Sequence, residues 1–189
     1  MELIKRIIAG DQEALKTLYL ELGTKVYNTS LSYVQNESEA EEITQDVFLE
    51  VFHSAKTFRN ECTVSTWVYR ITVRKSLDVL KYKTRAKRFG NVVSLIGLDE
   101  KETEIPDFEH PGVLYENKED AKRLFSAVYL LPEKQKTAFI LSYIEELPQK
   151  EVAEVMHLNL KAVESLLQRA KKNLKEKIKI IYPDRRILK

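Results

Sequence analysis

The stretch LPQKEVAEVMHLNLKAVESLLQRAKKNL, Leu147 to Leu174, decides how the rest of this chain is read. Pro148 suits the first position of a short helix, where a missing N–H costs nothing, and Val152, Ala153 and Met156 give that helix an apolar side. A turn of three or four residues follows, and Asn159 is placed to cap a second helix. In the second helix Val163, Leu166, Leu167, Ala170 and Leu174 recur at three- and four-residue steps as one stripe to be buried. Lys161, Glu164, Ser165, Gln168, Arg169 and Lys172 are left pointing outward. This is the layout of a helix-turn-helix, whose second helix enters a DNA major groove with polar side chains toward the base edges. An ordinary helical hairpin with a solvated polar face is the alternative. The run from Arg169 to Lys179, with six bases against one acid, favours the DNA reading because phosphates need such charge nearby.

Working back toward the N-terminus, helices are expected at about Asn117 to Leu130 and Glu133 to Glu145, with Pro132 at the start of the latter. Between Phe89 and Gly112 the chain gathers Gly90, Gly97, Pro106, Pro111 and Gly112 among many Asp and Glu. So long a run of turn formers does not fit inside one compact domain, and it reads as an acidic flexible linker. The expected fold class is all-α: two small helical domains, 1–88 and 114–189, joined by an acidic linker over 89–113, the C-terminal one a helix-turn-helix domain.

In the N-terminal part Asp11 is placed to cap a helix running to about Val34, and Asn36 and Ser38 interrupt it. A helix from Glu39 to about Ala55 puts Ile43, Val47, Phe48, Val51, Phe52 and Ala55 on one side and Glu39, Glu42, Asp46, Glu50 and His53 on the other. Its outer face is strongly acidic. That face should be either plain solvent or a docking site for a basic protein partner. Thr63 to Val73 is β-branched enough for a strand, but no partner strand exists, so Thr63 to about Lys87 is expected to be one helix. Arg70, Arg74, Lys81, Arg85 and Arg88 form a basic stripe along it, near Phe58, Trp67, Tyr69 and Tyr82. Aromatic rings among cations suit single-stranded nucleic acid, since bases stack while cations hold phosphates. A core role for Trp67 and Phe58 beside a merely solvated stripe is the alternative.

The net charge of +2 conceals a sorting of charge along the 189 residues. Residues 1–55 hold 4 bases and 10 acids, 56–88 hold 10 and 2, 89–120 hold 2 and 9, and 121–189 hold 15 and 8. Two separate basic blocks imply two contacts with a polyanion. A single cysteine, Cys62, excludes a disulfide framework or a multi-cysteine zinc site, and fits a cytoplasmic setting. No signal-peptide layout and no apolar run of membrane-spanning length is present. Glu50-x-x-His53 and Glu154-x-x-His157 repeat the spacing of di-iron bundle ligands, but they fall in different domains and away from an apolar interior. No nucleophile with its base and no phosphate-cradling glycine loop can be assembled, so neither an enzyme nor a small-molecule substrate is indicated.

With those residues in view, the chain resembles the bacterial RNA polymerase sigma factors of the small extracytoplasmic-function group, from about Gly10 to Leu174. AEEITQDVFLEVF (Ala40 to Phe52) is similar to the family's core-polymerase-binding segment, which implies that Glu39, Glu42, Asp46, Phe48 and Glu50 dock on core RNA polymerase. FRNECTVSTWVYRITVRKSLDVLK (Phe58 to Lys81) resembles the segment that opens the minus-ten promoter element. The resemblance assigns Phe58, Arg59, Trp67, Arg70, Arg74, Lys75 and Lys81 to the non-template single strand. Leu131 to Leu174 looks like the domain that reads the minus-thirty-five element as duplex, through Lys161, Glu164, Ser165, Gln168, Arg169 and Lys172. Three positions depart from the family pattern: Arg74 where many relatives carry Asn, His157 in place of the turn Gly, and Ala162 where Thr is frequent. A left-handed His would preserve the turn at modest cost. The resemblance implies no catalysis by the chain itself, no metal or organic cofactor, and an anti-sigma protein among its partners. A stand-alone helix-turn-helix regulator is the remaining alternative, although it would have no use for the acidic face or for the aromatics amid the basic stripe.

Overall fold

A computed structural model describes residues 2–94 and 118–181, with side chains over 2–86 and 120–180. Every described element is helical: α1 (Glu2–Ile8), α2 (Gln12–Val34), α3 (Glu37–Ser54), a 3-10 turn (Ala55–Thr57), α4 (Val64–Ser94), α5 (Lys118–Tyr129), α6 (Glu133–Phe139), a π turn (Ile140–Ile144), α7 (Gln149–Met156) and α8 (Leu160–Ile181). The proposed linker falls mostly on residues 95–117, which lie outside those described, while Phe89–Ser94 continue α4. No helix among the described residues is long and apolar enough to cross a membrane.

The helix starts follow from their capping residues. Asp11 accepts from the Glu13 and Ala14 amides, and Arg6 donates to the same carboxylate at 2.8 Å, which holds its pKa below the usual range. Asn36 accepts from the Glu39 amide at 3.0 Å and so opens α3 rather than merely ending α2. The Thr63 hydroxyl accepts from the Thr66 amide at 3.0 Å and starts α4 as a helix, which settles the strand-or-helix ambiguity there. α1 has no counterpart in the sequence reading. Ile4 and Ile7 bury it, and only packing reveals it.

α2, α3 and α4 pack together around Leu18, Val26, Leu31, Ile43, Val47, Val51, Val68 and Ile71. The same apolar cluster continues without a break into Ala127, Val128, Leu131, Phe139, Ile140, Ala170 and Leu174 of the C-terminal helices. A second cluster holds the interior of the helix-turn-helix, Val152, Ala153, Val155, Val163, Leu166 and Leu167, together with one residue of α4, Tyr69. Buried polar groups bridge the same junction. The Gln35 side chain donates to the Phe125 carbonyl oxygen at 2.7 Å, and the Tyr33 hydroxyl donates to Thr137 at 2.9 Å.

Candidate nucleic-acid and polymerase interfaces

The helix-turn-helix forms as its residues require. α7 ends at Met156, and His157 takes the left-handed conformation at φ 52°, its amide returning to the Glu154 carbonyl oxygen. Asn159 accepts from the Ala162 amide at 2.8 Å and starts α8. Val163, Leu166, Leu167, Ala170 and Leu174 are all buried, which leaves one polar face. Lys161, Glu164, Ser165, Gln168, Arg169 and Lys172 are exposed along it, so the six sequence-predicted duplex contacts share one open surface. Arg169 Nε donates to the Ser165 carbonyl oxygen at 3.2 Å, which leaves the rest of its guanidinium to reach outward.

The basic stripe of α4 is organised differently, because acidic side chains already engage it. Arg74 pairs with Glu50, and Lys75 lies 3.1 Å from Asp46 and 3.6 Å from the second Glu50 oxygen. Lys83 pairs with Glu39, and Lys81 lies 3.4 Å from Glu133 of α6. Arg70 donates through Nε and Nη2 to the Glu154 carbonyl oxygen at the end of α7, at 3.3 and 2.8 Å. Half-exposed ion pairs of this kind are worth about 0–1 kcal/mol each, so phosphates compete with them readily. Trp67 stacks at a tilt on Phe58 with ring centres 4.9 Å apart, both partly buried, and Arg59 is exposed beside them. Arg88 lies outside the described side chains. Tyr82 is exposed, but Tyr69 is not available for stacking: it is only 3% exposed and sits inside the helix-turn-helix core. Its hydroxyl donates to Glu145 at 3.2 Å.

The acidic helix α3 is split in two by these contacts. Glu39, Asp46 and Glu50 turn toward α4, whereas Glu42 and Gln45 stay exposed. Phe48 is 6% exposed and meets Tyr19 edge-on at 4.9 Å, so it supports the surface from below. Phe52, expected on the buried side, is 38% exposed, and Leu49 stands out beside it. The reason is rotational: α2 and α4 cover Val47 and Val51, and the next positions round the helix face solvent.

Among the groups with displaced proton affinities are two buried charged side chains. Burial pushes the Glu145 carboxyl up to about 7, opposed by Thr29, Tyr69 and Lys25. Burial lowers the Lys136 ammonium to about 8, with Glu133 acting the other way. Neither residue stands out in the sequence, where both read as ordinary surface charges. Their meaning depends on the junction between the N- and C-terminal helices.

Comparison with known proteins agrees with this geometry. The family model described as Sigma-70 region 2 matches residues 18–86, and that described as Sigma-70, region 4 matches residues 122–174. The chain is 31% identical over 149 residues to the RNA polymerase sigma factor SigV of Bacillus subtilis, covering 77% of this chain and 80% of that one. It is 25% identical to the ECF RNA polymerase sigma factor SigW of Bacillus subtilis, over 93% of this chain and 95% of SigW. Among solved structures, the fold is similar to that of CnrH in complex with the cytosolic domain of CnrY, at a TM-score of 0.68 and 21% identity over 97% of both chains. It is also similar to the sigma factor RpoE in complex with the anti-sigma factor NepR from Bartonella quintana, at a TM-score of 0.59 and 20% identity over 90% of this chain and 98% of that one. The two matched regions are those that hold the α4 stripe and the α7–α8 helix-turn-helix, and together with the whole-chain relatives they place this chain in the extracytoplasmic-function group of RNA polymerase sigma factors, which direct the polymerase to promoters.

Proposed function

We propose a division of labour among three surfaces of this sigma factor. α8 reads duplex DNA at the minus-thirty-five element through Lys161, Glu164, Ser165, Gln168, Arg169 and Lys172. The observation that carries this assignment is their common exposure on a capped helix whose other side is wholly buried. α4 and the segment just before it hold the non-template strand near the minus-ten element through Arg59, Arg70, Arg74, Lys75 and Lys81, with Phe58 and Trp67 as the aromatic platform. The readily exchanged ion pairs along α4 support that role, since each releases a cation to a phosphate at little cost.

The outward part of α3 docks on core RNA polymerase. Glu42, Gln45, Leu49 and Phe52 combine charge with exposed apolar surface, the composition of an interface core with its polar rim. Glu39, Asp46 and Glu50 serve twice, as intramolecular partners of α4 and as edge contacts to the polymerase, and Phe48 backs them. Residues 1–88 and 114–189 act as the two working units, and the acidic segment 89–113 threads a basic channel of the polymerase. The chain works in the cytoplasm, without a cofactor and without covalent chemistry of its own. Its likeness in fold to a sigma factor solved with the anti-sigma factor NepR supports a protein inhibitor of the same class here.

Run-off transcription with core polymerase on a genomic promoter library tests the whole reading. The protein should start transcripts at a restricted set of promoters. Tight duplex binding by the protein alone, with no transcript from any promoter when polymerase is added, would overturn it. Glu42→Lys should weaken polymerase capture about tenfold or more while leaving the melting temperature unchanged, as a surface substitution should.

A further inference from the structure

Lys136 of α6 is only 6% exposed, yet among the described residues its ammonium meets no carboxylate at ion-pairing distance. Its partner is the Tyr129 ring, 4.7 Å away. A lysine buried this deeply is ordinarily paired, because an unpaired interior charge is costly. Burial lowers the ammonium to about 8, with Glu133 acting the other way, so at neutral pH it still carries its charge.

Lys136 lines a cavity of about 280 Å³ between α4 and the start of α6. Leu77, Leu80, Lys81, Thr84 and Arg85 recur at steps of three and four on the α4 side, and Leu131 and Glu133 join Lys136 on the other. Three bases thus face one acid over three leucines. Glu133 is half-exposed and lies 3.4 Å from Lys81, which leaves Arg85 and Lys136 without an acidic partner among the described residues. The Thr84 hydroxyl donates to the Leu80 carbonyl oxygen at 2.8 Å and has no proton to offer. In the larger cleft alongside, by contrast, Glu50 takes Arg74 and the Glu154 carbonyl oxygen takes Arg70.

We infer that the cavity is a binding site for a small phosphate monoester, whose phosphate takes Lys136, Arg85 and Lys81 while a compact apolar body lies on Leu77, Leu80 and Leu131. A phosphate brings close to two negative charges and three strong acceptor oxygens, and an arginine fork suits two of them. The volume falls just below the roughly 300–1,000 Å³ of sites for drug-sized ligands, so the body is about one ring in size. A nucleic-acid backbone fits less well, because it follows open grooves whereas Lys136 is almost wholly enclosed.

Calorimetric titration of the full-length protein at pH 7 and fixed ionic strength, with phenyl phosphate, inorganic phosphate, sulfate and phenol as probes, tests the site. Phenyl phosphate should bind about tenfold or more tightly than either inorganic anion, since its ring adds apolar contact, and phenol should give no measurable heat. Lys136→Met should weaken phenyl phosphate about tenfold or more without lowering the melting temperature, and Arg85→Gln should weaken it several-fold. Equal affinities for the three anions would reduce the site to general surface charge, and an unchanged affinity in Lys136→Met would remove its central contact; either overturns the inference. Fluorescence anisotropy with a short, labelled single-stranded DNA separates the two sources of phosphate. Lys136→Met should keep strand affinity within about twofold of wild type, whereas a loss as large as that for phenyl phosphate would assign Lys136 to the nucleic-acid backbone and end the small-ligand reading.

Discussion

Tyr33 of α2 donates a 2.9 Å hydrogen bond to the Thr137 hydroxyl of α6, 104 positions away in sequence, and both residues are buried. The Tyr33 ring is fully enclosed, and burial raises its hydroxyl pKa well above the usual phenol range, so the group acts only as a neutral donor. Thr137 in turn donates to the Glu133 carbonyl oxygen at 3.0 Å, which fixes its hydroxyl to receive the tyrosine proton. The bond therefore has a defined direction across the junction.

Tyr33→Phe should cost about 1 kcal/mol in urea denaturation, the net value of one buried hydrogen bond, because Thr137 keeps its second partner. Tyr33→Ala should cost about 3–5 kcal/mol, since it also opens a cavity between the two groups of helices. Equal costs for the two variants would show that packing contributes nothing at this site.

Lys136 is 6% exposed, with its ammonium over the Tyr129 ring at 4.7 Å. Its folded-state pKa is lowered to about 8 from 10.5, so the folded chain holds this proton less firmly than the unfolded chain. The cost is present in full below about pH 8 and disappears as pH rises through 8 toward 10.5. Lys136→Met should stabilise the protein by about 1–2 kcal/mol at neutral pH after the lost cation–π contact is allowed for. Thermal melting between pH 7 and pH 10 should show that advantage shrinking as the wild-type amine becomes neutral.

His157 pays for its left-handed backbone at φ 52° with strain that glycine escapes. His157→Gly should raise stability by about 0.5–1 kcal/mol, read as a higher melting temperature, without altering the sequence that α8 recognises. A lower melting temperature would mean that the imidazole contributes contacts worth more than the strain.

On α8, Gln168 and Lys172 should separate base reading from phosphate holding. Gln168→Ala should relax preference at one or two base pairs by about 1–3 kcal/mol, whereas Lys172→Ala should weaken all duplexes alike and reduce the salt slope by about one. Binding measured across a randomised duplex library at several salt concentrations distinguishes the two.

Much of this architecture was legible in the residues. Asp11, Asn159 and the Val163 to Leu174 stripe announced their helices because caps and periodicity are local properties. α1 was not legible, because a stretch as short as Glu2–Ile8 becomes a helix only when Ile4 and Ile7 find a core to enter. Tyr69 was misread for a related reason: a ring between Val68 and Arg70 looks the same whether it awaits a nucleobase or fills another helix pair. The charge sorting was legible as a pattern but not in its pairing. Glu39, Asp46 and Glu50 meet Lys83, Lys75 and Arg74 across two helices, and nothing in local spacing encodes which acid meets which base.

The π turn at Ile140–Ile144, where the Glu145 amide reaches back to the Ile140 carbonyl oxygen and that of Leu147 to Leu141, is one residue wider than the α-helical turn it replaces. Each residue of an α-helix advances the winding by about 100°, so removing one residue from this turn would swing Glu145 away from Tyr69 by about that angle. Phase, rather than composition, brings that carboxyl to its partner. A chain one residue shorter here would keep every exposed side chain of α8 and yet lose the register that sets Glu145 against Tyr69.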